Sequence, residues 1–179
     1  MNKLELIEKI NKGEKFNYTF FWGAKKSTKL TNSVFSQWYP ASFIEDDITY
    51  CCCEQYMMAK KASLFNDEET LKEIMNETDP KKIKALGRKV KNFDDKIWKL
   101  WCDEIVFTGN YLKFSQNEDL KHYLLSTNDN ILVEASPYDK IWGIGLKKED
   151  KDATNPLMWP GENRLGFILT NVKEKIKST

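Results

Sequence analysis

Tyr50–Phe65 reads YCCCEQYMMAKKASLF, and the rest of the chain is organised around it. The stretch predicts one helix from about Cys53, with apolar residues at Met57, Met58, Leu64 and Phe65. Glu54 and Lys61 are set into it seven residues apart. Two helical turns return the chain to nearly the same face, so both side chains point one way, about 10 Å apart along the axis. That gap is too long for a direct ion pair, and a ligand could span it. The alternative is a solvated Glu and Lys on a lysine-rich helix.

Working outward towards the N-terminus, Ile48–Tyr50 and Phe43–Ile44 flank the acidic tip Glu45-Asp46-Asp47, the pattern of a hairpin feeding the helix. Before it, VFSQWYPASF is an aromatic segment punctuated by Pro40, and Gly23 to Asn32 reads as a polar loop. FNYTFFW, Phe16 to Trp22, is β-prone and predicts a strand. LELIEKI predicts a short amphipathic helix closed near Gly13.

In the other direction the chain is mostly helical. Asn66, with Glu69 three residues on, resembles a capping box for DEETLKEIMNE. Asp79-Pro80 is an N-cap followed by proline at the first helical position. Asp94 or Asp95 opens a longer helix through Ile97, Trp98, Trp101, Ile105 and Val106, with at least one of its tryptophans expected in the core. Phe114-Ser-Gln-Asn is read as an interruption before the helix NEDLKHYLLST. Ile131 to Ala135 predicts a short strand, and Ser136 to Leu146 (SPYDKIWGIGL) a loop. The last segment, WPGENRLGFILTNVKEKI, predicts a helix burying Leu165, Ile168, Leu169, Val172 and Ile176. The fold class expected is α+β: a single compact, mostly helical domain with a small sheet, spanning 16–179 behind an N-terminal helical extension, 1–15.

Composition narrows the chemistry. At 179 residues and 41% apolar content the chain can bury a core of ordinary size. No apolar run approaches a membrane span and the N-terminus lacks a signal peptide's apolar core, so a cytoplasmic protein with no membrane partner is expected. The four cysteines, three of them consecutive (Cys51, Cys52, Cys53), have neither a disulfide framework's spacing nor a CxxC metal pair's, and are read as packing. His122 is the only histidine, which argues against Ser-His-Asp or Cys-His chemistry and a histidine-rich metal site. No metal or other cofactor is expected. A net charge of +1 gives no basic stripe for a long nucleic-acid footprint.

Carboxylates, lysines and aromatics remain as candidates. Arg88 and Arg164 are the only arginines among 28 basic residues. A planar bidentate donor in each place suits a phosphate or carboxylate, the alternative being a structural salt bridge. WGIG at Trp142 to Gly145 lacks the helix start of a dinucleotide fingerprint; its glycines suit a tight turn or close approach to a ligand. Asp139 puts a carboxylate near Trp142, a pairing used to hold a nucleobase or ribose, although most tryptophans are core.

FSQWYP, EQYMMAKKA, LGRKV, FDDKIW, KFSQN, VEASPYDKIWGIG and WPGENRLG, in this order, resemble the NADAR (YbiA-like) family from roughly Phe20 to Lys175. The resemblance implies a largely helical α+β fold and N-glycosidase activity. Some family members act on phosphoribosylated riboflavin-pathway intermediates, others on ADP-ribosylated guanine in nucleic acid. It also implies that Glu54, Lys61 and Asp139 are catalytic and that Trp98 is an active-site residue. Trp142, Gly143, Arg88 and Asn163 would line or order the pocket. Lys60 beside Lys61 leaves the lysine's register open by one residue, and the spacing from Glu54 favours Lys61. Three functions follow as expectations: an N-glycosidase of small phosphorylated ribosyl compounds, a glycosidase of ADP-ribosylated guanine, or a non-catalytic ADP-ribose or nucleotide-binding module.

Overall fold

A computed structural model describes residues 1–24 and 27–179. In chain order it contains α1 (Lys3–Asn11), β1 (Tyr18–Phe21), β2 (Phe43–Glu45), β3 (Ile48–Tyr50), α2 (Cys53–Leu64), α3 (Glu68–Asn76), α4 (Pro80–Gly87), α5 (Asp95–Gln116), α6 (Glu118–Leu125), β4 (Ile131–Glu134) and α7 (Arg164–Lys177), with 3-10 turns over Asn32–Phe35 and Pro156–Met158. This is the expected α+β class. The predicted Gly23–Asn32 loop includes Lys25 and Lys26, which lie outside the described residues. Among the described residues no helix is long and apolar enough to cross a membrane. Residues group into two compact units, Gln37–Lys121 and Met1–Ser36 with His122–Thr179.

The Gln37–Lys121 unit is built on α2. Cys53 to Ala59 and Ala62 are all buried, so this helix has no solvated stripe over its first two turns; α3, α4, α5 and β3 pack around it. Two glycines let its neighbours approach. A Cβ on Gly87 of α4 would lie 1.9 Å from the Met58 sulfur, and one on Gly109 of α5 2.7 Å from the Tyr56 ring. β2 and β3 form the predicted hairpin, with Glu45 opposite Ile48. Asp46 and Asp47 both take positive φ (48° and 62°), as a two-residue primed turn requires.

Three expectations in this unit are corrected. The cap of α3 is Asp67, whose side chain accepts from the Thr70 N–H, while Asn66 takes a left-handed conformation (φ 55°) that ends α2. A side chain one residue later reaches the free amides, so the capping-box reading was shifted. α5 runs on through Phe114, Ser115 and Gln116, and the expected interruption shrinks to its last residue, Asn117, which takes an extended conformation before α6. Its buried face carries Cys102, Val106, Gly109, Asn110, Lys113 and Phe114. Ile97 and Trp101 are 42% and 48% exposed and Trp98 is half-buried, so neither tryptophan is core. Polar Asn110 and Lys113 facing inward defeated the hydrophobic periodicity.

The other unit centres on β1 and β4, paired in parallel with Tyr18 opposite Ile131 and Phe21 opposite Glu134. α7 packs on β4 and buries the five predicted apolar residues. Leu6 of α1 is fully buried with Ile131, Val133, Trp159 and Phe167, so the N-terminal helix belongs to this core. The Lys3 ammonium donates to the Trp159 carbonyl at 2.7 Å.

Candidate active site

The candidate residues fall in both units, and each group has its own architecture. In the Gln37–Lys121 unit, Glu54 lies in the first turn of α2, where a carboxylate complements the helix dipole, and is only 5% exposed. Its N–H donates to the Gln37 carbonyl at 3.0 Å, tying the FSQWYP segment to the helix start. A solvated Glu is excluded.

Lys61, two turns on, is half-buried and sits in a box. Its Nζ donates to the Gly87 carbonyl at 2.7 Å and lies 4.1 Å from the Phe93 ring centroid and 5.7 Å from that of Trp98. Among the described residues no carboxylate pairs with it. Burial pushes its ammonium below the usual lysine range. The ring faces oppose that shift, since cation–π contact favours the charged form. Lys60 is different in kind: it pairs with Glu45 at 2.5 Å, and that contact helps raise its pKa even though burial, the largest influence, lowers it. The Glu45 carboxylate also accepts from the Tyr56 hydroxyl at 2.8 Å. The two adjacent lysines thus differ: Lys60 is held as a structural cation and Lys61 is not.

Trp98 therefore touches the lysine it was expected to accompany, and Phe93 was missed by sequence reasoning. Phe93 opens the FDDKIW segment, the one signal that could have found it. Arg88, the C-cap of α4, is exposed and forms no salt bridge among the described residues, which removes the structural alternative for it. None of the four cysteines is in a disulfide. The Cys51 and Cys52 sulfurs lie 3.9 Å apart; that contact brings the half-buried Cys51 thiol down to about 7.

In the second unit, the Ser136–Leu146 loop is folded by its own polar side chains. Ser136 Oγ accepts from the Asp139 N–H at 3.2 Å. Asp139 Oδ1 accepts from the N–H groups of Ile141 and Trp142 at 2.9 and 2.8 Å. One carboxylate oxygen of Asp139 is thus a loop anchor, and Oδ2 has no protein partner among the described residues. Gly143 is buried where a Cβ would meet the Glu134 and Asp139 carbonyls at 2.9 and 3.0 Å, so its role is close packing. Trp142 lies beneath the Arg164 guanidinium, 5.1 Å from its ring centroid. The first amides of α7 are already spent, Arg164 N–H on Ile141 O and Leu165 N–H on Trp142 O, at 3.3 and 3.1 Å. This helix start therefore offers these two donors to the loop and not to a phosphate.

Of the two roles expected for Asn163, lining or ordering the pocket, its contacts are those of an ordering residue. It is fully buried in a left-handed conformation (φ 54°), its Oδ1 accepting from Glu134 N–H at 2.9 Å and its Nδ2 donating to Leu132 O at 3.0 Å. Its amide staples α7 to β4 and orders the loop. Sequence reasoning also missed a cleft of about 810 Å³ in this unit, lined among others by Phe21, Trp22, Leu30, Tyr123, Ala135 and Lys147. Trp22 reaches the loop through Tyr138, ring centroids 6.0 Å apart. The residues of this cleft are scattered along the chain, so no local motif marks it. Among the described residues no group of His, Cys, Asp and Glu could hold a metal ion.

Comparison with known proteins agrees with the motif order. The chain is 46% identical over 163 residues to N-glycosidase R617 of Acanthamoeba polyphaga mimivirus, covering 88% of this chain and 95% of the viral protein. It is 30% identical to N-glycosidase Npun_R5314 of Nostoc punctiforme, over 80% of this chain and 85% of the relative. The NMR structure of E. coli YbiA superposes with a TM-score of 0.70 at 25% identity, covering 92% of this chain and 88% of YbiA. The model of the NADAR domain matches residues 20–177, taking in the buried Glu54, the boxed Lys61 and the Asp139 loop alike. By sequence and by fold, this chain is a member of the NADAR family.

Proposed function

We propose that this protein is an N-glycosidase, hydrolysing the C–N bond between a ribosyl group and a nucleobase-like leaving group. The observation that carries the reading is Lys61: a half-buried amine with no carboxylate partner, boxed by Phe93 and Trp98, on the helix that buries Glu54. Relatives named N-glycosidases support it. Two substrate classes fit: a phosphoribosylated intermediate of riboflavin synthesis, and ADP-ribosylated guanine. The balanced charge favours a small or end-located substrate, and Arg88 is available to a phosphate.

Cleavage passes through an oxocarbenium-like state with positive charge at the anomeric carbon. The Glu54 carboxylate stabilises that charge, and Lys61 as a free amine attacks the anomeric carbon. The C–N bond to the base breaks and the base departs with a proton. The ring-opened imine left on Lys61 is hydrolysed by water, which restores the amine and releases the sugar. Asp139, with Oδ2 uncommitted, is the further catalytic candidate that the family resemblance offers.

Incubation with each substrate class, followed by mass spectrometry, should reveal free base. Glu54→Gln should lower kcat about 10²–10⁴-fold with the fold retained. Borohydride added during turnover should leave a reduced sugar adduct on Lys61. An active Lys61→Arg enzyme without any lysine adduct would replace covalent catalysis by direct attack of water. Release of no base from either class would leave a binding module.

A further inference from the structure

Gln37 is the one residue of the Gln37–Lys121 unit whose side-chain amide is buried at both polar atoms and finds no protein partner at either. Neighbouring amides set the contrast. Gln55 accepts from Cys51 N–H at 2.8 Å and donates to Ile74 and Glu77 carbonyls at 3.1 and 2.9 Å. Asn110 donates to Val106 O at 2.8 Å and accepts from the Cys53 thiol at 3.6 Å. Buried polar groups are almost always satisfied, so each exception calls for a specific explanation.

The backbone around Gln37 is held in place. Its carbonyl receives the Glu54 N–H at 3.0 Å, which fixes the residue at the turn of α2 bearing the candidate catalytic carboxylate. Lys84 stands 5.9 Å over the Trp38 ring and Lys113 5.5 Å over that of Tyr39, fixing the residues that follow. The backbone that carries this amide is therefore held in position. The amide presents a donor and an acceptor side by side in one plane. A sugar hydroxyl would use one of the two. A lactam edge, with N–H and C=O adjacent, uses both, which is how amide side chains read nucleobase edges.

We infer that Gln37 recognises the hydrogen-bonding edge of the leaving heterocycle, making it a specificity residue of this site. The inference rests on the N-glycosidase reading and adds what that reading leaves open: the base is held by a paired donor and acceptor, at the Glu54 end of α2. Aminouracils and guanine both carry such an edge. A hydrogen bond from Nε2 to the base strengthens as the base gains negative charge, so Gln37 contributes to kcat as well as to binding.

The test compares wild type with Gln37→Leu, which keeps bulk and removes both functions, and Gln37→Glu, which removes the donor. Each is given one ribosyl donor in two forms, carrying the lactam base or carrying nitrophenolate, which has no such edge. Binding of the free bases is measured by calorimetry. Gln37→Leu should lower kcat/KM for the base-bearing substrate about 10–100-fold, leave the nitrophenyl riboside unchanged, and abolish calorimetric binding of the base. Its unliganded melting point should rise, because two desolvated polar atoms have been removed. Equal losses on both substrates would assign Gln37 to the ribose or to water and overturn the inference. Unchanged kinetics with a lowered melting point would mean an ordered water only, and overturn it too. If wild type turns over neither substrate, the glycosidase reading fails, and base binding by wild type against Gln37→Leu still decides the role of Gln37.

Discussion

The difference between Lys60 and Lys61 comes down to their partners. Two adjacent residues of the same type point along different faces of α2, and one meets a carboxylate while the other meets a carbonyl and two rings. Burial lowers the pKa of Lys61 from its ordinary value. Below that lowered pKa the free amine is the minority form, so a reaction that needs it speeds up as pH rises and levels off above it. The pH–rate profile of wild type should therefore climb through a midpoint below about 10.4, the ordinary lysine value. Lys61→Arg, permanently charged, should have no activity to titrate. A flat profile in wild type would assign Lys61 only Coulombic work. Cys51 is a second group set by a neighbour, its thiol lowered to about 7 by the Cys52 contact, while desolvation pushes the fully buried Cys53 up to about 11.

At the scale of elements, the decisive join in the Asp139 unit is between β4 and α7. It is made by side chains and by absences of side chains. Asn163 bonds the strand at two points, Thr170 accepts from the Leu132 N–H at 3.2 Å, and a Cβ on Gly166 would lie 2.1 Å from the Leu132 carbonyl. Asn163→Ala should cost about 2–4 kcal/mol, from two buried backbone groups left unsatisfied and a left-handed residue without a side chain that favours it. Urea denaturation measures this. Where the variant is still folded its KM should match wild type, because Asn163 orders the loop and does not touch substrate. A KM that rises without loss of stability would return it to the binding residues.

Across the whole molecule, each unit has its own centre: α2 for Gln37–Lys121, and the β1–β4 pair with α7 and α1 for the remainder. Residues 1–15 lie before the first family motif, yet Leu6 is fully buried in that second core. Leu6→Ala should destabilise the protein by about 2–5 kcal/mol, the usual range for a cavity of that size. Near-UV circular dichroism against denaturant follows it. A cost below about 1 kcal/mol would make α1 the appendage that its place in the sequence suggests.

Much of the fold was legible because its signals are local. The Asp79-Pro80 helix start and the spacing of Leu165 to Ile176 act within a few residues and appear as read, and the acidic hairpin tip Glu45-Asp46-Asp47 appears with Glu45 drawn into β2. The order of motifs pointed to the family, and the seven-residue step from Glu54 put two candidates on one helix. What sequence could not decide was which face of an element is covered. α5 buries Asn110 and Lys113 beside Val106 and Phe114 and leaves Ile97 and Trp101 in solvent, so its hydrophobic pattern marks the covered face only in part. Likewise, only the tertiary structure put Phe93 against Lys61, spent both Asn163 amide atoms on β4, and buried the two polar atoms of the Gln37 side-chain amide without a protein partner. Burial and hydrogen bonding depend on atoms brought from distant parts of the chain, whereas propensity and capping are settled within a few residues.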